Sequence, residues 1–218
     1  MTKLHSTFQE LYDNCVYSSI AHAISNIKYP FFAYTQSWDG INYSFHYGSS
    51  RGTIAFDLPN KVLVGAIRDE KSTRRTWYPK YKAIELFDEA PEIARHLADA
   101  EALQYLFDEI DWMTMPVATT AFWNEGDQIV CRDGPEDFIL NGGEYILNLR
   151  APIQALKLYW KEEYDLTAGD LELVDHLFQM KRSGMMKIST KDIADNPQNG
   201  EGYNEFIESL VEMGFEII

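Results

Sequence analysis

Cysteine is scarce in this chain: Cys15 and Cys131 are the only two among 218 residues. Two thiols without a Cys-x-x-Cys spacing make neither a disulfide framework nor a zinc site, so both are expected reduced and unpaired. Long apolar runs are also missing; no stretch approaches the ~18 residues that a membrane span requires. There is no His-Glu-x-x-His and no Glu-x-x-His, which removes the common zinc and di-iron signatures. The run Asp195–Phe206 carries Asn199 and Gly200 at calcium-loop positions, but Pro197 takes a ligand position and Phe206 replaces the bidentate glutamate. Gly48-Ser49-Ser50-Arg51-Gly52 lacks the Gly-Lys-Ser/Thr ending of a phosphate loop and lies between strand patterns, so it reads as a turn. No cofactor and no metal are expected.

The most telling shortage is of positive charge in the middle of the chain. Glu85 to Asp137 holds fourteen acids against Arg95 and Arg132 alone. Residues 1–80 carry nine Lys/Arg and six Asp/Glu, a net of +3; residues 81–218 carry ten and twenty-eight, a net of −18. With a sequence pI near 4.7, such a surface repels phosphate backbones and anionic lipid and attracts cations. Nucleic-acid binding and membrane binding are therefore disfavoured, and a basic protein partner is expected.

What is present is core material: 45% apolar and 14% aromatic residues, in a chain long enough to bury roughly 70% of its unfolded surface. Lys3 and His5 lead toward an amphipathic helix rather than a signal peptide, so cytoplasmic residence is expected. That helix runs from Phe8 to Ile27 on a three- and four-residue spacing, with Ser6 and Gln9 as its capping box and Tyr29-Pro30 as its end. His22 falls one residue off the stripe and reads as a boundary histidine.

The period then changes. Phe31–Thr35, Ile41–Tyr47, Gly52–Leu58 and Val62–Ile67 read as an antiparallel meander, with a loop of about four residues around Pro59-Asn60. Arg68 to Lys80 is polar and without a period, and is expected to be an exposed, mobile loop. A helix over Pro91–Ile110 follows, then a hairpin of Val117–Trp123 with Gln128–Cys131. Further helices open at Pro152 and at Thr167, the latter capped with Asp170 and stopped near Gly184. The end reads as a strand (Met185–Ser189), a short helix, a helix from Tyr203 to Met213, and a terminal strand able to pair with the first. The fold class is α+β: an N-terminal helix packed on an antiparallel β-meander, followed by a mostly helical half with short hairpins. One domain spans 1–218, with a possible subdivision into 1–80 and an acidic 81–218.

Two sets of residues are site candidates. Asp108, Glu109, Asp111, Glu125 and Asp127 form the partner-binding set; the first three lie at the expected helix C-terminus, where the macrodipole disfavours negative charge unless a cation offsets it. Trp38, Asp39, Tyr43, His46 and Arg51 form a possible ligand pocket at the end of the first sheet, with Ser44 and His46 on a polar solvent face. Glu92 with His96 and Glu172 with His176 have helical i,i+4 spacing and read as surface pairs. The favoured function is a non-enzymatic binding protein whose acidic face docks a basic macromolecular partner, of immunity or inhibitor type. The alternative is a small-molecule enzyme, a hydrolase for instance, using the Trp38–Arg51 pocket.

Overall fold

Lys3 and His5 alternate with Leu4 and Ser6, and that period of two wins: Thr2–Thr7 is a strand with Leu4 and Ser6 buried. The helix starts only at Phe8. Its capping box is Thr7 with Glu10, not Ser6 with Gln9. Thr7 Oγ1 accepts from the Glu10 amide at 3.2 Å, and the Glu10 carboxylate accepts from the Thr7 amide at 2.9 Å. Ser6 cannot serve because the strand turns its side chain into the interior.

The computed structural model describes residues 1–189 and 200–218. In chain order its strands are β1 (Thr2–Thr7), β2 (Gln36–Asp39), β3 (Asn42–Tyr47), β4 (Ser50–Asp57), β5 (Val62–Arg68), β6 (Phe107–Ile110), β7 (Met113–Pro116), β8 (Thr120–Glu125), β9 (Gln128–Cys131), β10 (Lys187–Ile188) and β11 (Glu216–Ile217). The α-helices are α1 (Phe8–Asn26), α2 (Glu92–Ala100), α3 (Pro135–Leu140), α4 (Ile153–Glu163), α5 (Ala168–Ser183) and α6 (Glu201–Glu212). The fold is α+β, built on a seven-stranded antiparallel sheet of order β1-β9-β8-β5-β4-β3-β2. The short helix expected between Ser189 and Tyr203, and residues 195–199 of the calcium-like run, lie outside the described residues.

Two units divide the chain: Met1–Tyr12 with Ile41–Arg150, and Asp13–Gly40 with Ala151–Ile218. Residues 81–150 thus belong with the meander. In the first unit β4 and β5 pair from Arg51↔Arg68 to Asp57↔Val62, leaving the expected four-residue loop, in which Asp57 Oδ1 accepts from the Asn60 amide at 3.2 Å. Gly52 and Gly65 allow the strands their large neighbours. A Cβ on Gly65 would stand 2.0 Å from the ring of its cross-strand partner Phe122, and one on Gly52 2.3 Å from Phe45. Ala55, Val64, Ala66 and Trp123 form a core with Ala94 and Ala98 of α2 and with Phe87, Leu103 and Leu106. On Phe56, one residue along from Ala55, Phe8 and Tyr12 pack edge-on at 6.1 and 5.2 Å.

In the second unit, the indoles of Trp38 and Trp160 donate to Ser19 and Ser18 of α1, each at 2.7 Å. Phe31–Thr35 is not a strand. Pro30 opens a 3-10 turn over Pro30–Thr35 in which no residue is buried, so no alternating face exists there, and the strand begins at Gln36. The Thr167–Asp170 capping box, the left-handed Gly184 stop and the terminal pairing stand as expected, with β10 and β11 parallel.

Candidate functional site

β5 delivers Arg68 and Asp69 into the interior, at 6% and 3% exposure. Buried charges require partners, and these come both from two residues away and from far along the chain. Arg68 Nη2 meets Asp108 Oδ2 at 2.6 Å and Glu70 Oε2 at 3.1 Å, while Nη1 donates to the Ser49 carbonyl at 3.1 Å. Arg75 bridges the same two carboxylates, reaching Asp108 at 3.2 Å and contacting Glu70 more closely. Arg74 forks onto Asp133 at 2.7 and 2.8 Å, donates to the Thr119 carbonyl, and lies 5.2 Å from the ring centre of Trp77. Asp69 Oδ1 accepts from Ser50, Tyr145 and the Lys71 amide.

The Arg68–Lys80 stretch is only partly an exposed loop: Arg68, Asp69, Ser72 and Tyr78 are buried, while Lys71, Thr73, Thr76, Trp77 and Lys80 are exposed. Ser72 caps a 3-10 turn over Thr73–Trp77, and three of the five cations turn inward onto carboxylates; Lys71 and Lys80 remain exposed. Its polarity reflects paired charge, which a local reading of the sequence mistakes for solvation.

Asp108 and Glu109 lie on a strand and not at a helix end. α2 stops at Ala100. Leu103 in a 3-10 turn over Ala102–Tyr105 and Leu106 just after it stay buried and so prolong the apparent helical period, but from Phe107 the period is two. In the β6–β7 hairpin, Asp108 faces Met115, Glu109 faces Thr114 and Ile110 faces Met113. Ile110 and Met115 pack on the core, which places Asp108 on the inward face with them and Glu109 on the outward one. Burial pushes the Asp108 carboxyl up, but Arg68, the Glu109 amide and Arg75 outweigh it and hold the group below its ordinary value. Neither Asp108 nor Glu109 is at a helix C-terminus, so no macrodipole cost arises there.

Asp111 and Trp112 form the two-residue turn, both at positive φ (+49° and +66°). Such turns favour Asn-Gly, because a side chain at positive φ crowds its own backbone. Here a tryptophan takes the position, 94% exposed. Composition and helical period do not single out Trp112 in the sequence. Its signal is Asp111-Trp112 set between Ile110 and Met113, apolar residues that form the closing pair.

Glu125 and Asp127 occupy the β8–β9 turn around the left-handed Gly126 and are exposed. They rim an open groove of about 920 Å³ whose walls include Phe8, Tyr12, Leu58 and Ile93, with Lys61 as a cation on the same rim.

The other candidate set is divided. Trp38 and Asp39 belong to the second unit, Tyr43, His46 and Arg51 to the first. Trp38 and Tyr43 are buried, Asp39 is exposed, and His46 and Arg51 are half-buried. Burial, reinforced by Arg51, lowers the pKa of His46. Ser44 is not on a solvent face; it is buried, 3.3 Å from Thr53 Oγ1. His22 is buried rather than at a boundary. Its Nε2 lies 3.1 Å from the Phe32 carbonyl and 2.9 Å from Thr35 Oγ1, and burial pulls its pKa down to about 4 against the smaller opposing effect of that carbonyl. Cys15 and Cys131 are free and buried; burial raises both thiols, Cys131 to about 11 with help from Asp133.

Among the described residues, no three His, Cys, Asp or Glu side chains converge as a metal site, and no helix is long and apolar enough to cross a membrane. No family model, no curated protein and no solved structure matches this chain.

Proposed function

We propose that this chain is a non-enzymatic binding protein whose acidic surface docks a basic protein partner, as an immunity or inhibitor protein docks a cationic toxin or nuclease. One observation carries the reading. Glu109, Asp111, Glu125 and Asp127 are exposed and form no ion pair among the described residues, whereas Asp108 and Asp133 are matched by arginines. Unmatched carboxylates on a chain of net charge −15 project a field that speeds encounter with a cation-rich surface.

The test is kinetic. The tagged protein is incubated with extract of its own host at low salt, and a basic protein released by rising salt is purified as the partner. Changing Glu109 and Glu125 to Gln and Asp111 and Asp127 to Asn slows association with it by about tenfold or more, while dissociation changes little. The difference shrinks as salt approaches 1 M, where the Debye length is ~3 Å. Equal association rates at low salt would leave the acids as a solubilising surface and sink the reading.

A further inference from the structure

The chain contains a worked example of how it holds a guanidinium. Arg74 is forked by the Asp133 carboxylate at 2.7 and 2.8 Å and lies 5.2 Å from the ring centre of Trp77. A carboxylate supplies the fork and an indole the face. An indole and carboxylates are neighbours again at the tip of the β6–β7 hairpin, where none of them has an ion pair or a cation–π contact among the described residues. Trp112 is 94% exposed, Asp111 precedes it directly, and Glu109 lies on the outward face two residues further back.

The tip is also preformed. Paired strands and the closing pair Ile110↔Met113 fix the turn, and Ile110 and Met115 anchor the hairpin on the core. Packing gives no reason for a tryptophan at a strained positive φ in full solvent, where Gly or Asn would make the same turn at lower cost. A planar cation is the ligand that uses both the ring and the carboxylates. Arginine suits it better than lysine, because a guanidinium stacks flat on an indole, sheds water more readily than an ammonium, and accepts a bidentate carboxylate.

We propose that the Asp111-Trp112 tip, with Glu109, is an arginine-reading site, so that the partner meets this protein through an exposed, arginine-bearing basic segment. The inference rests on the acidic-surface reading above and adds to it the identity of the cation.

Two short peptides test it, Ac-Gly-Arg-Arg-Gly-NH₂ and its lysine counterpart, titrated at low salt into labelled protein. Binding is followed at the Trp112 indole N–H and at the Asp111 and Met113 amides. The arginine peptide should shift all three signals and bind roughly 2- to 5-fold tighter than the lysine peptide, the range of an exposed cation–π contact. Trp112→Asn removes the ring, suits positive φ and keeps the hairpin; followed at the two amides, it should make the peptides equal. Glu109→Gln with Asp111→Asn should weaken both. An arginine preference that is absent from the wild type, or that survives Trp112→Asn, overturns the arginine site, and the acidic-surface reading still stands if the double variant weakens both peptides. A double variant that binds both peptides as the wild type does overturns the acidic-surface reading as well.

Discussion

Around Arg68, Arg74 and Arg75 each guanidinium meets a carboxylate, and the charges cancel within the protein. On the hairpin that supplies one of those carboxylates, the neighbouring Glu109 and the turn residue Asp111 are turned outward. Asp108 and Glu109 are adjacent and chemically near-identical, yet one completes a half-buried network and the other faces solvent. Strand alternation makes the division, because successive side chains leave opposite faces. Counting acids along a chain therefore overstates the charge available to a partner. The relevant set is those carboxylates that the fold leaves unmatched.

Breaking the closed network should give the largest effect. Arg74→Ala strands Asp133, at 11% side-chain exposure, with its remaining hydroxyl partner Thr120, and a buried ion pair broken on one side costs about 3–5 kcal/mol. Urea unfolding should show a loss of that size; a loss within ~0.5 kcal/mol would place the network among ordinary surface pairs.

A buried titratable group without a counter-charge should follow in size. His22 falls from its ordinary 6.5 to about 4 on burial, so the unfolded chain takes up the proton more readily. Stability from this group is intact above pH 6.5 and is lost as pH falls toward 4, by about 3 kcal/mol in all, since one pH unit is worth about 1.4 kcal/mol. Urea midpoints across that window should fall in the wild type. A His22→Gln variant should lack this slope, and an identical slope in both would assign it to other groups.

The open tip should respond in the opposite sense. Replacing Asp111-Trp112 by Asn-Gly relieves two side chains at positive φ and should stabilise the protein by about 1 kcal/mol, or roughly 2–4 °C in Tm. A drop in Tm would mean that Trp112 contributes to the fold itself. The smallest change is expected from Glu109→Gln with Asp111→Asn, within about ±0.5 kcal/mol, because neither side chain has an ion pair among the described residues to lose. A larger loss would place these two carboxylates in a network like that of Asp108, and erase the contrast.

Much of the scaffold was readable locally. The Thr167–Asp170 cap, the Gly184 stop, the Pro59 loop and the β8–β9 hairpin rest on turn and capping chemistry within a few residues. Local signals are ambiguous where two periods compete. Ser6-Gln9 and Thr7-Glu10 both fit a capping pattern, and only the pairing of β1 with β9 selects the second. Leu103 and Leu106 continue a helical spacing that the chain leaves at Ala100. The carboxylates Glu109, Asp111, Glu125 and Asp127 were legible as acid content; their orientation was not, and Trp112 had no polar signature to mark it.

By itself the sequence determined the α+β class, the Thr167–Asp170 cap, the Gly184 stop, the Pro59 loop and the negative net charge. Each of these depends on composition or on residues a few positions apart. Tertiary structure decided which charges remain to be used. Arg68 meets Asp108 across 40 positions and Arg74 meets Asp133 across 59, so the pairing energy follows distances that no window along the chain contains.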